Sequence, residues 1–201
     1  MMHTADMLKI FAQQISAQDR GDTIVISGRG GKHWIALSDT ALDLPLGDPA
    51  MGGHAGFGLG LALAQPNKRV VLFDSEGDIL MSIGQLPTIA EQAPANFYHF
   101  ILDNEVYATT GGQPVPNAKK VDYAMMARGA GYPRAFNFAE LDAFATALPG
   151  ILSQPGPVFV ALKVWPEVEN TPINQRVRWR KRGADKVVRD LRGALGVAAS
   201  K

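Results

Sequence analysis

Two short stretches of this chain hold side chains whose type and spacing suit metal and anion chemistry. The first is Asp74-Ser75-Glu76-Gly77-Asp78, an acidic turn with one glycine; the second is Asp103-Asn104. Glu76 and Asn104 stand 28 positions apart (104 − 76). A carboxylate, an amide oxygen and a nearby backbone carbonyl form an oxygen donor set for a hard cation such as Mg²⁺, with phosphate oxygens completing the shell. Gly77 and the helix start that follows offer backbone N–H groups to an anion. Glu76 taken alone also fits an acidic residue favoured at a helix start.

The flanking residues say what must position these groups. Val70 to Phe73 is an apolar run that reads as a buried strand. Ile79, Leu80, Ile83, Leu86, Ile89 and Ala90 recur at helical spacing and predict one helix. Gln92 to Asn96, with Pro94, breaks it, and Phe97 to Leu102 reads as a second strand. This is a βαβ unit, and both polar stretches fall at the carboxyl ends of its strands, where open α/β sheets bind ligands.

This stretch resembles the diphosphate-binding domain of thiamine diphosphate enzymes, in particular the small, separately encoded subunits of sulfopyruvate and phosphonopyruvate decarboxylases. The family's helix pattern is matched by Leu80, Met81, Gly84, Leu86 and Thr88 to Ala90. Its loop pattern is matched by Leu102 to Asn104, Tyr107 and Thr110 to Pro114. The likeness runs from about residue 5 to 165. Two departures stand out. The family's Gly-Asp-Gly is Ser75-Glu76-Gly77 here, so the metal-side carboxylate is one methylene longer. Asp78 replaces a Ser or Ala, and a carboxylate beside a diphosphate is repulsive unless it points away or reaches the metal.

The resemblance implies an α/β fold, a three-layer sandwich around a mostly parallel sheet, over residues 1–165, followed by a basic C-terminal helical extension over 166–201. It implies thiamine diphosphate and Mg²⁺ as cofactors. The metal would be held by Glu76, Asn104 and the backbone carbonyl of Val106. The cofactor would contact Ser27, Gly28, Met51, Gly52, Gly77, Asp78, Ile79, Asn104, Val106 and Tyr107. Met51 falls on the apolar residue that holds the cofactor bent between its two rings. In the preceding segment, Pro49-Ala50 replace the family's Gly-Ser. His54 is a substrate-side candidate, although a lone histidine is more often structural.

A domain of this length accounts for only the diphosphate half of such a site. The activating glutamate is therefore expected on a partner chain carrying the pyrimidine-binding domain, in an assembly of two plus two. The implied function is that of the cofactor-binding subunit of a 2-oxo acid decarboxylase, a lyase acting on a small 2-oxo acid. The alternatives are the β subunit of a 2-oxo acid oxidoreductase, a carboligase, or a degenerate, non-catalytic partner subunit.

The rest of the chain bounds these readings. Its 201 residues include 20 Lys and Arg against 19 Asp and Glu, for a net charge of +1, so no global field points to nucleic acid. The absence of cysteine excludes disulfides, thiolate metal sites and iron–sulfur ligation by this chain. No apolar stretch is long enough for a membrane span, and the first residues lack a signal-peptide pattern, so a cytoplasmic protein is expected. Ala5 to Ala17 predicts an amphipathic helix, and Thr23 to Ile26 a short strand opening into the basic loop Ser27 to His33. Helices are expected over 57–64, 122–130 and 138–148, and a last strand over 158–164. The tail carries Arg176, Arg178, Arg180, Lys181, Arg182, Lys186, Arg189 and Arg192, with Val187, Val188, Leu191 and Leu195 at helical spacing. It reads as a helix packed on a partner subunit, with binding of an anionic substrate as the second reading.

Overall fold

A computed structural model describes residues 1–18, 20–45, 51–177 and 179–197. The predicted segment around Pro49-Ala50, and Arg178 of the basic tail, lie outside the described residues.

Six strands form one parallel sheet: β1 (Thr23–Ile26), β2 (Asp43–Leu44), β3 (Arg69–Ser75), β4 (Phe97–Asp103), β7 (Arg134–Phe138) and β8 (Val158–Lys163), in the order β2-β1-β3-β4-β8-β7. The two remaining strands, β5 (Val106–Tyr107) and β6 (Gln113–Pro114), pair as a small antiparallel hairpin beyond the end of β4. The central strands are nearly continuous runs of Val, Ile, Leu and Phe because helices cover both faces. Alternation along each strand sorts them. Ile24, Val70, Leu72, Phe97, Ile101 and Phe159 face one core. That layer holds α3 (His54–Ala64), α5 (Gln85–Gln92), α6 (Tyr123–Gly129) and α8 (Ala184–Ala194). Val25, Val71, Phe73, Phe100, Val160 and Leu162 face the other, under α1 (Thr4–Gln18), α2 (Gly31–Leu37) and α7 (Leu141–Leu152). There Phe11 meets Phe73 edge-on, with ring centroids 5.0 Å apart. This is the three-layer α/β sandwich expected from the sequence.

The topology creates the ligand edge. β1 and β3 are neighbours, yet the chain leaves β1 toward α2 on one face and leaves β3 toward α5 on the other. Adjacent strands whose connections diverge leave a crevice at their carboxyl ends, the usual ligand position in such sheets.

Three predicted elements differ from those observed. The single helix over 79–90 is two: α4 (Glu76–Met81) and α5, separated at Ser82 to Gly84. Pro87 has no N–H for the carbonyl one turn back, so it is accommodated only in the first turn of a new helix. Edge strand β7 occupies Arg134–Phe138, where the sequence suggested a helix from Phe138 on; the helix begins at Leu141. An edge strand buries only part of its length, so its apolar alternation is weak. The tail helix α8, expected on a partner subunit, packs one face on this same chain: Val187 and Leu191 are buried in the core shared with Leu44 of β2. Arg182 fastens the turn before it, donating to Asp39, Asp190 and the carbonyls of Thr40 and Asp43.

Candidate cofactor and metal site

β3 delivers Ser75, Glu76 and Asp78 to the sheet edge, and the helix that starts there fixes their directions. Ser75 caps α4, its Oγ accepting from the Asp78 N–H at 3.2 Å. Glu76 is fully buried, and its Oε1 accepts from the backbone N–H of Asn104 at 3.2 Å. Its Oε2 is buried with no hydrogen-bond partner among the described residues. Burial, with the nearby negative charge of Asp103 adding to it, raises the Glu76 pKa to about 8. A buried carboxyl with one oxygen unsatisfied is a group whose charged form needs a cation.

Asn104 follows the last residue of β4, one strand away from Glu76. Glu105 takes a left-handed φ of 69°, which folds the loop back so that the Val106 N–H donates to Asn104 Oδ1 at 3.0 Å. Lys163 holds the base of this loop through Asp103 and Glu105, at 2.9 Å from each. Tyr107 lies over Gly77, where a Cβ would come within 3.0 Å of the ring.

The Asp78 carboxylate turns inward and is 1% exposed. Arg29 donates to both of its oxygens, at 2.9 and 3.1 Å, Ser75 Oγ lies at 2.9 Å, and the Gly52 N–H approaches at 3.3 Å. Burial opposes its charge, but His54 and the Arg29 guanidinium hold it well below the ordinary carboxylate range. The pairing ties the turn after β1 to the first turn of α4. Gly28, at φ 38°, makes the close approach possible, because a Cβ there would fall on the carbonyl oxygen of Phe73.

Behind this pair runs a buried polar chain. His54, at the start of α3, has Nδ1 3.7 Å from Asp74 Oδ1 and 3.8 Å from Asp78 Oδ2. The other Asp74 oxygen is 3.2 Å from His99 Nε2, and His99 Nδ1 is 3.3 Å from the Tyr132 hydroxyl. His54, Asp74 and Asp78 are close enough to suggest a second metal centre. The Asp78 oxygens are already committed to Arg29, which argues against a cation there.

A shallow groove brings together Met51, Gly77, Asp78, Asn104, Val106 and Tyr107. Met51 is 70% exposed on its rim. A neighbouring cavity of about 340 Å³ takes in Gly28, His54 and Asn104. Of the other predicted site residues, Ser27 is buried with its Oγ lacking a partner among the described residues. Gly52 takes a φ of 80° beside Asp78, and the Ile79 side chain belongs to the core. Sequence reasoning missed Arg29 as the partner of Asp78; it gave Asp74 no role beyond its place in the acidic turn and did not single out His99. The available signal was a charged residue at the end of one apolar strand and a histidine inside the next.

The donor set fits a divalent ion: a buried oxygen without a partner, an amide oxygen one strand away and a glycine that lets a ligand approach the start of α4. Comparison with known proteins shows the family. Residues 30–162, more than half of the 201-residue chain, match the family model described as thiamine pyrophosphate enzyme, C-terminal TPP binding domain. The sulfopyruvate decarboxylase subunit beta of Methanococcus maripaludis is 32% identical over 83% of this chain and 86% of its own length. That of Methanothermobacter thermautotrophicus is 40% identical over 62% of this chain and 63% of its own. The phosphonopyruvate decarboxylase of Streptomyces hygroscopicus is 42% identical over 58% of this chain, but the matched part is only 29% of that longer protein. Among solved structures, a Mycobacterium smegmatis enzyme described as thiamin diphosphate-dependent superposes with a TM-score of 0.64 at 19% identity, covering 82% of this chain and 32% of that one. The chain therefore belongs to the thiamine pyrophosphate enzyme family, as its C-terminal-type TPP-binding domain.

Proposed function

We propose that this chain is the diphosphate- and Mg²⁺-binding subunit of a 2-oxo acid decarboxylase, completed by a second chain. The observation that carries this reading is the buried Glu76, whose unpartnered Oε2 and raised pKa await a cation beside Asn104. Relatives named as β subunits support the need for a partner. Glu76 Oε2, Asn104 Oδ1 and the Val106 carbonyl are the donors to the ion. The N–H of Gly77 receives a diphosphate oxygen, since the Asp78 N–H is already taken by the Ser75 hydroxyl and the Ile79 N–H closes the first turn of α4 on the Ser75 carbonyl. Arg29, by holding the Asp78 carboxylate inward, keeps a like charge away from that diphosphate. Met51 is the apolar prop at the groove's rim.

Thiamine diphosphate, held by these residues, would supply the nucleophilic carbon and the electron sink for the loss of carbon dioxide. This chain's contribution is position and electrostatics. On the substrate side, His54 handles a proton, its Nδ1 facing the Asp74 carboxylate, which His99 fixes from behind. The activating glutamate and the pyrimidine contacts belong to the partner, placing the complete site at a subunit interface of a two-plus-two assembly.

The direct test is to combine this chain with a chain carrying a pyrimidine-binding domain and measure carbon dioxide release from a panel of 2-oxo acids. Turnover that requires both chains, thiamine diphosphate and Mg²⁺ is expected. Turnover by the partner alone would refute the assignment.

A further inference from the structure

The segment between β8 and α8 has a course that the decarboxylase reading leaves unexplained. β8 lies at the other side of the sheet from β2, so the chain must cross to reach its docking place for α8. It does so as a strap over the ligand edge. Glu167 pairs with Lys32 and His33, which the sequence placed in a loop but which lie in the first turn of α2. Arg176 donates to the Thr109 carbonyl at 3.1 Å, on the loop after β4. Trp179 lies over Gly31, where a Cβ would come within 2.5 Å of the ring. Arg182 and α8 then fasten the far end. The family match ends at residue 162, before the strap begins.

The strap roofs the 340 Å³ cavity that holds Gly28, His54 and Asn104, and it adds Arg176 and Arg180 to that wall together with Glu167 and Glu169. The charges are unevenly compensated. Arg29 is spent on Asp78, and Lys32 shares Glu167 with His33. Arg176 donates to the carbonyls of Thr171, Thr109 and Glu169 and keeps its charge. Arg180 lines the cavity with its guanidinium 5.2 Å from the Trp179 ring centre and forms no ion pair among the described residues. Stacking on an indole holds a guanidinium in place without using its N–H donors, which stay free for an oxyanion.

We propose that the strap builds an oxyanion subsite into this cavity, with Arg180 as its main contact and Arg176 and Lys32 in support. The inference rests on the cavity being the cofactor and substrate pocket. Two ligands carry the chemistry recognised here: the diphosphate of the cofactor, and a second acidic group at the end of a 2-oxo acid remote from its carboxylate.

Titration calorimetry on the full chain, with Trp179 fluorescence as a second readout, tests it. The probes are thiamine diphosphate with Mg²⁺, inorganic pyrophosphate, and, on the cofactor-loaded chain, a 2-oxo acid bearing a terminal phosphonate with pyruvate as control. Arg180→Gln is expected to weaken at least one doubly charged ligand by about fivefold or more, with pyruvate unchanged and Arg180→Lys retaining most of the affinity. Loss for pyrophosphate and the cofactor together assigns the subsite to the diphosphate. Loss for the phosphonate alone assigns it to the substrate's acidic arm. Gly31→Ala, which must displace Trp179, is expected to reproduce the loss and shift the fluorescence. If wild type binds the Mg²⁺ complex and Arg180→Gln/Lys32→Gln binds every probe equally well, the subsite is wrong and the cofactor assignment stands. If wild type binds pyrophosphate in an Arg180-dependent way but not the cofactor, the subsite stands and the cofactor assignment falls.

Discussion

Arg29 grips both oxygens of Asp78, at 2.9 and 3.1 Å, and so joins the turn after β1 to the first turn of α4. The Asp78 carboxylate, which the sequence left without a partner, faces a guanidinium and a serine hydroxyl. The two unusual residues form one unit, and a change at either is felt at the other.

Asp78→Ala is expected to destabilise the chain by about 3 kcal/mol, because it strands part of the Arg29 charge and empties the Ser75 and Gly52 contacts. Arg29→Ala/Asp78→Ala should lose less than the sum of the two single changes. Denaturant unfolding of the four proteins measures the coupling. Strict additivity would mean that the pair is incidental.

Glu76 sets a pH dependence of known sign. Its pKa is raised from the 4.5 of an ordinary glutamate to about 8 in the folded chain. Its contribution to stability is therefore full below about 4.5 and is lost as pH rises through about 8. The metal-free chain should lose stability between those values, and Glu76→Gln should flatten that slope. Mg²⁺ binding needs the charged form, so it should release close to one proton near pH 7. Calorimetry in two buffers of different ionisation heat reads the proton count. Zero release would contradict the role of Glu76.

Asn104→Ala removes an amide oxygen and opens the turn that returns Val106 to it. Binding of the Mg²⁺–cofactor complex should weaken at least tenfold, worth about 1.4 kcal/mol. Glu76→Asp should retain Mg²⁺-dependent binding because it keeps the carboxylate. Both are read by titration with cofactor at fixed Mg²⁺.

Gly28→Ala should destabilise by about 2 kcal/mol or more, since a Cβ would meet the Phe73 carbonyl and φ is 38°. Thermal unfolding tests this. The neighbouring Gly21→Ala, where no atom lies within 4 Å of a built Cβ, is the control.

Much of the layout was legible because it rests on local patterns. Val70 to Phe73 and Phe97 to Leu102 announced the central strands, and the polar residues directly after them had to lie at one sheet edge. Long-range pairing was hidden. Nothing near Asp78 shows that Arg29, 49 positions away, will neutralise it. His99 looks like one residue of an apolar strand until Asp74 and Tyr132 meet it from other elements. The basic tail had a readable amphipathic face, but its partner was the short edge strand β2, whose two residues carry no periodic signal.

The central claim is that Glu76 and Asn104 together grip the ion that anchors a diphosphate. A crystal structure of the chain grown with thiamine diphosphate and Mg²⁺ tests it most directly. Mg²⁺ is expected at about 2.0–2.1 Å from one oxygen of each side chain. Cofactor bound with both side chains turned away from the ion would contradict it.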